Sequence, residues 1–477
     1  MSIARCSLRS SSLSSPRRPE TLGCNPPLGA AHVGHNPDRC VHDGLAEAAK
    51  PDRRKPGGRA RVTTLQMTAA VKQRFQAAWE SLLPIGLDVG TGGYRRYAWT
   101  PADVACRGWF EEQAQARGLS VEADAAGNIL AWWDGADHDR RGAVLTGSHL
   151  DSVPDGGPFD GPLGVVSGLC AVDLLRERGI VPKRALAVSV FTDEEGARFG
   201  LACIGSRLLS GMLQLPDAYA LRDSAGITLR DAMLAAEVGA HGAATIHDIT
   251  QFSAFVELHI EQGRGLADRN TSVALGSAIW PHGRWRYAFH GEANHAGTTR
   301  LIDRHDPMLP FAAAAIAARR IAQDTGGLAT FGRVSVEPNA TNGVPSLVSA
   351  WLDARAPDAH TLRTVVDAIE SEAAAVAAVH GVSVDITSES YTPEVRFDDA
   401  LRARMAEALA GDGSAVSELS TGAGHDAGIL AAAIPTGMLF VRNRTGVSHS
   451  PMESADLADC LDGVSALATV LEDLVCR

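Results

Sequence analysis

The sequence predicts an α/β fold, a central sheet covered by helices on both faces, with a smaller ferredoxin-like sandwich inserted into it. Three observations carry this. Short apolar runs at 129–133, 143–149, 185–191, 254–260 and 437–441 have strand length, and a helical pattern at 164–176 lies between two of them. That alternation builds a helix-covered sheet. Between about 276 and 391 the texture changes to strand 284–289, alanine-rich helix 307–323, strands 332–337 and 347–354, helix 361–379 and strand 382–387. The order βαββαβ is that of a ferredoxin-like sandwich. At 477 residues the chain also exceeds one ordinary domain. The expected organisation is a larger domain in two pieces, 67–275 and 392–477, interrupted by 276–391.

Residues 1–66 are different in kind. They are rich in Ser, Pro, Gly and Arg, show no hydrophobic period and carry 11 basic against 5 acidic residues. Such a segment buries too little surface to offset its chain entropy, so disorder is expected. It holds neither the apolar core of a secretory signal nor a clear amphipathic stretch for an organellar transit peptide. The run MTAAVKQRFQAAWESLLPIG opens a helical period at once, and makes Met67 the expected native start. Helical patterning continues to about Gly118, with Thr100 as a predicted N-cap and Pro101 in the first turn.

Composition narrows the function. The chain is 45% hydrophobic and 21% charged, a globular balance. A formal charge of −12 argues against a nucleic-acid partner. No apolar run reaches bilayer length, so no membrane span is expected. The eight cysteines form no CxxC pair, and the five beyond residue 66 are an odd number. Buried thiols in a reducing cytoplasm are the expectation.

The stretch TGSHLDSVPDGGPFDGPLG (146–164) follows an apolar strand and opens into a glycine-rich loop. Side chains repeat every two residues in a strand, so His149 and Asp151 share one side. A carboxylate there can accept the second ring N–H of a ligand histidine, and Asp160 sits in the loop beyond. Another strand ends in Phe191-Thr192-Asp193-Glu194-Glu195-Gly196. Its adjacent carboxylates can divide labour, one on a metal and one free as a base, or can cap a following helix. Strand 254–260 carries His259 and is followed by Gln262, and a late loop, GVSHSP, carries His449. Exits of such strands converge on one crevice. Three imidazoles and two carboxylates, His149, Asp160, Glu195, His259 and His449, suit two borderline divalent ions, Zn²⁺, Mn²⁺, Co²⁺ or Ni²⁺.

These motifs, with ELHIEQG, GEANHAGTT, NGVP, LDAR and STGAGHDA, resemble the M20-type metal-dependent amidohydrolases that cleave ureido and carbamoyl groups. The resemblance runs from Met67 to the C-terminus, in order. It implies that His149 and His259 are ligands with Asp160 bridging, and that Glu195 and His449 hold the second ion. It makes Glu194 the general base, Asp151 the residue that orients His149, and His295 a lid histidine that helps stabilise the oxyanion. Gln262, Asn342 and Arg355 become substrate contacts, Arg355 as a bidentate clamp for a carboxylate. The implied reaction is hydrolysis of a linear C–N bond, with allantoate ahead of an N-carbamoyl-L-amino acid as substrate. A homodimer formed through the smaller domain is implied too, because relatives supply the lid histidine from the neighbouring subunit. An inactive binding module on the same fold would lack a ligand or the base, and all six residues are present. Two departures, Arg300 in place of a common proline and Met452-Glu453-Ser454 after GVSHSP, touch no presumed ligand.

Overall fold

The computed structural model describes residues 66–135, 137–236, 245–410 and 416–477. The expectations for residues 1–65 lie outside the described residues. The strands in chain order are β1 (Ser120–Ala123), β2 (Ile129–Trp133), β3 (Ala143–His149), β4 (Leu186–Phe191), β5 (Phe252–Ile260), β6 (Val273–Ile279), β7 (His282–His290) and β8 (Asn294–His295). Then come β9 (Leu328–Glu337), β10 (Gly343–Val344), β11 (Leu347–Arg355), β12 (Ser383–Thr392), β13 (Val395–Arg396), β14 (Glu418–Thr421) and β15 (Thr436–Val441).

The main sheet is mixed and runs β1-β2-β4-β3-β5-β15-β6-β13, with β14 against β6. Its centre, β4-β3-β5-β15, is parallel throughout. Strands β2 and β6 flank that centre antiparallel. Four strands therefore finish at one edge, where an open α/β sheet gathers its site. Alternation splits each strand between two cores. Val144, Val188 and Val256 face one core with helices Pro162–Glu177 and Leu457–Cys476. Leu145, Phe191 and Phe255 face the other, with helix Asp426–Leu430. His259 has the parity of Phe255, so its ring belongs to that second face.

A separate antiparallel sheet runs β12-β7-β11-β9. Helices Met308–Thr325 and Ala359–Val379 pack on Tyr287, Phe289, Val348 and Leu352 of its inner face. Strand β6 is where expectation and structure part. Its sequence VALGSAI alternates too weakly to mark a strand, yet it pairs with β15 and β13 in the main sheet. The change of sheet thus falls at Trp280–Pro281 instead of at residue 276. Thr100 stands at the N-cap of helix Pro101–Ala116, as expected, though its side chain makes no capping bond. Its hydroxyl donates to Tyr97 O at 2.7 Å, while the Asp103 carboxylate takes the Trp99 N–H at 2.9 Å. Among the described residues no helix is long and apolar enough to cross a membrane.

Candidate metal centre

β3 delivers His149, and the loop after it must return the next carboxylate to the same place. Gly161 makes that return. Its φ of +85° lies where an L side chain rarely goes, and a Cβ there would meet the His149 ring at 2.5 Å. Asp160 is thereby seated against two imidazoles. Its Oδ1 lies 3.2 Å from His259 Nε2 and 3.7 Å from His149 Nε2. Its Oδ2 lies 3.3 Å from His449 Nε2, which is 3.7 Å from Glu195 Oε2. One carboxylate thus serves two groups, His149–Asp160–His259 and Asp160–Glu195–His449.

The ring orientations follow from backbone bonds. His149 Nδ1 is 3.1 Å from Asp151 O, and His259 Nδ1 is 2.9 Å from Ile260 O. A carbonyl only accepts, so each Nδ1 carries a proton and each Nε2 points into the cluster. Both Nε2 atoms are buried without a hydrogen-bond partner, which a buried polar atom rarely tolerates. A cation bound about 2.1 Å from each ligand would separate tetrahedral donor atoms by about 3.4 Å, close to the spacings here. The residues fit two borderline divalent ions.

Charge agrees. Burial opposes a charged His149, but Glu194, Asp151 and Glu195 outweigh it and hold that imidazolium well above its ordinary range. Asp160, despite burial, is held well below the carboxylate range by His259, His449 and His149. Burial, aided by Asp160, lifts Glu195 to about 7, and the hydrogen bond to Asp160 leads in lifting His449 to about 9. The cluster demands positive charge.

Glu194 stands beside the cluster, its Oε2 3.7 Å from His149 Nε2. Burial is the main force raising it well above the usual range, with Asp426, Glu195 and Asp151 adding to this and His149 opposing. The loop after β4 is no acidic helix cap, since the next helix begins only at Ile204. Asp151 does meet the His149 ring, but through its backbone. Its carbonyl, not its carboxylate, takes the His149 N–H, the carboxylate being 3.6 Å away. The carboxylate instead accepts the backbone N–H groups of Glu194 at 3.1 Å and Glu195 at 3.0 Å. It holds Glu194 and Glu195 together.

The predicted substrate contacts divide into three places. Gln262 is at the cluster: its Nε2 donates to Asp160 Oδ2 at 2.8 Å and its buried Oε1 has no partner. Arg355 ends β11. It gives Nε and Nη2 to Asp353 at 2.8 and 3.2 Å, and Nη1 to Gly422 O at 2.6 Å. Five donors less three leaves two N–H groups on its outer fork. His295 and Asn342 sit apart, in the exposed ribbon of β8 and β10, where Gly343 pairs with His295. His295 Nδ1 accepts the N–H groups of Gly297 and Thr298 at 3.0 and 3.2 Å. Asn342 O accepts from Ala296 at 2.9 Å. Among the described residues no hydrogen bond or ion pair joins this ribbon to the His149–Asp160–His259 cluster of its own chain.

Three residues escaped the sequence reading. His425, inside STGAGHDA, is 3% exposed, with its ring 4.4 Å from that of His259 and its Nε2 unpartnered. Burial first, then His259, keeps it neutral by lowering it well below the ordinary range. Glu257, fully buried, accepts Ser148 Oγ at 2.8 Å and Ala427 N at 2.9 Å, so it ties β3 and β5 to the His425 loop. Glu453, expected to touch no presumed ligand, accepts the Asp160 N–H at 3.0 Å. Both faces of β5 are buried from Ala254 on, so alternation gives no signal for Glu257.

Comparison with known proteins gives consistent results. Residues 145–473 match the peptidase family M20/M25/M40. The chain is 36% identical over 400 residues to an N-carbamoyl-L-amino acid amidohydrolase of Geobacillus stearothermophilus, covering 82% of this chain and 96% of that protein. It is 32% identical over 406 residues to the allantoate amidohydrolase of Escherichia coli K12, covering 84% and 98%. An amidase of the hydantoinase/carbamoylase family from Burkholderia multivorans superposes with a TM-score of 0.77 at 31% identity, covering 85% of this chain and 98% of that one.

Proposed function

The chain belongs to the M20/M25/M40 peptidase family and is a hydrolase of carbon–nitrogen bonds, and from that premise we propose that it cleaves the ureido group of a small carboxylate-bearing substrate, allantoate first. The observation that carries the proposal is the pair of buried, unpartnered Nε2 atoms of His149 and His259 facing one carboxylate, with Glu194 alongside. His149 and His259 would hold one divalent ion, Glu195 and His449 the other, and Asp160 both. When bound, the ions supply Lewis acidity at the scissile carbonyl and lower the pKa of water.

The chain's own residues do the rest. Glu194, held above the ordinary carboxylate range, takes the proton of the attacking water and returns it to the departing nitrogen. His425 stays neutral and offers a hydrogen bond to developing negative charge without titrating. The outer fork of Arg355 receives the substrate carboxylate. Arg355 already contacts Gly422 in the His425 loop, so carboxylate binding and oxyanion stabilisation share one support. The carbamate formed would decompose to ammonia and carbon dioxide.

The polar set Gln262, Arg355 and His425 favours allantoate, which is polar along its length. The 36% identity to an N-carbamoyl-L-amino acid amidohydrolase supports the second reading. Ammonia release from allantoate and from N-carbamoyl-methionine, after reconstitution with Mn²⁺, Zn²⁺, Co²⁺ or Ni²⁺, separates the two. Turnover of neither compound with any of these metals would sink the proposal.

The active unit we infer is a homodimer built through the 276–391 region. His295 and Asn342 lie in an exposed ribbon, and the same region exposes Leu301 (82%), Ile302 (87%) and Ile316 (75%). A second copy covering these side chains would bring its ribbon to the first copy's metals. A cytoplasmic setting fits the free cysteines, of which Cys106, Cys170, Cys203 and Cys460 are buried.

A further inference from the structure

We propose that Glu453 is a positioning residue, a clasp that holds the bridging carboxylate Asp160 and the ligand His449 at the spacing two ions require. The proposal rests on the two-ion reading above. Glu453 is 3% exposed. Its Oε2 accepts two consecutive backbone N–H groups, Phe159 at 2.9 Å and Asp160 at 3.0 Å. Its Oε1 accepts the hydroxyl of Ser448 at 3.1 Å, the residue before His449. That hydroxyl also lies 3.3 Å from Asp160 Oδ2. One side chain therefore grips both loops, across 294 residues of sequence.

Two further observations point the same way. A Cβ on Gly157 would come within 2.4 Å of Glu453, so the metal loop is shaped to admit this side chain. On the loop's other side the Phe159 ring stacks on Trp79 at 4.8 Å. The backbone at Asp160 is thus held from both directions. Burying a second carboxylate beside Asp160 is electrostatically costly, a cost that packing alone would avoid with a neutral residue. Both Glu453 oxygens are already turned to donors, which separates a clasp from a ligand.

The test is metal binding, read apart from turnover. Metal-stripped full-length wild type, E453A, E453Q and S448A are titrated with Mn²⁺ and with Zn²⁺, with stoichiometry by elemental analysis and folding by thermal unfolding. Wild type should take up two ions. E453A should keep one and bind the second 10–100-fold more weakly, the usual effect of losing an outer partner of a metal ligand. S448A, which opens the clasp on the His449 side only, should weaken the same ion. E453Q keeps an oxygen for the two N–H groups and should stay close to wild type. Unchanged affinity for both ions in E453A, or in S448A should E453A fail to fold, overturns the clasp. So does an E453Q as damaged as E453A, which would make charge and not position the cause. A wild type that binds fewer than two ions instead defeats the reading on which the clasp rests.

Discussion

Glu194 Oε1 accepts a weak hydrogen bond from the buried Cys203 thiol at 3.4 Å, and Oε2 faces His149. Neither contact makes it a necessary ligand, and this gives a sharp expectation. Glu194→Gln should retain both ions by elemental analysis yet lose about 10²–10⁴ in kcat, the range for a positioned general base. Full activity would remove the assigned role. The ligands carry a pH prediction. His449 is raised to about 9 and Glu195 to about 7, so each holds its proton to higher pH than usual and must release it to bind an ion. Apparent Mn²⁺ affinity should therefore fall as pH drops from 9 to 7, by about tenfold per unit for each proton displaced. Calorimetry at several pH values measures this, and a flat profile would contradict it. At this scale the sequence marks the residues with ligand chemistry, and the structure brings His149, Asp160, Glu195, His259 and His449 together with Glu194 alongside. The carbonyl partners of His149 and His259 were not legible, since a backbone acceptor leaves no mark in the sequence.

Between residues and fold stand the loops that the parallel strands deliver. The loop after β3 works only because Gly161 takes φ +85° and leaves room for the His149 ring. Gly161→Ala should cost about 1–3 kcal/mol of stability and displace His149, seen as a lower melting temperature and reduced metal content. A variant with wild-type metal content would show that the loop adapts. The apolar pattern marks strands 129–133 and 143–149 to the residue, as β2 and β3. Strand β6 is not marked, because it is specified by its neighbours β15 and β13 more than by its own alternation. The same limit hid Glu257 and His425, which meet through Ala427 across 170 residues.

The whole molecule raises the question of the ribbon β8–β10. It carries His295 and Asn342 in the open. If a second copy supplies them, two inactive variants should complement each other. Equal mixing of Glu194→Gln with His295→Ala, under subunit exchange, should restore about a quarter of wild-type activity, since half the dimers would own one intact site of two. No recovery despite proven exchange would place both residues in one subunit's site. Ile316→Glu should weaken the dimer, shown as a lower mass by light scattering. By itself the sequence determined which residue types could hold metal, which strand ends carry them, and the βαββαβ order of the second sheet. These are local facts, set by a period of two along a strand and by glycine at a sharp turn. Tertiary structure alone decided that Asp160 faces both histidine groups, that Asp151 grips the Glu194 loop, and that Glu453 closes on the metal loop. Each depends on partners dozens to hundreds of residues away, and only the packed sheet edge brings them within hydrogen-bond reach.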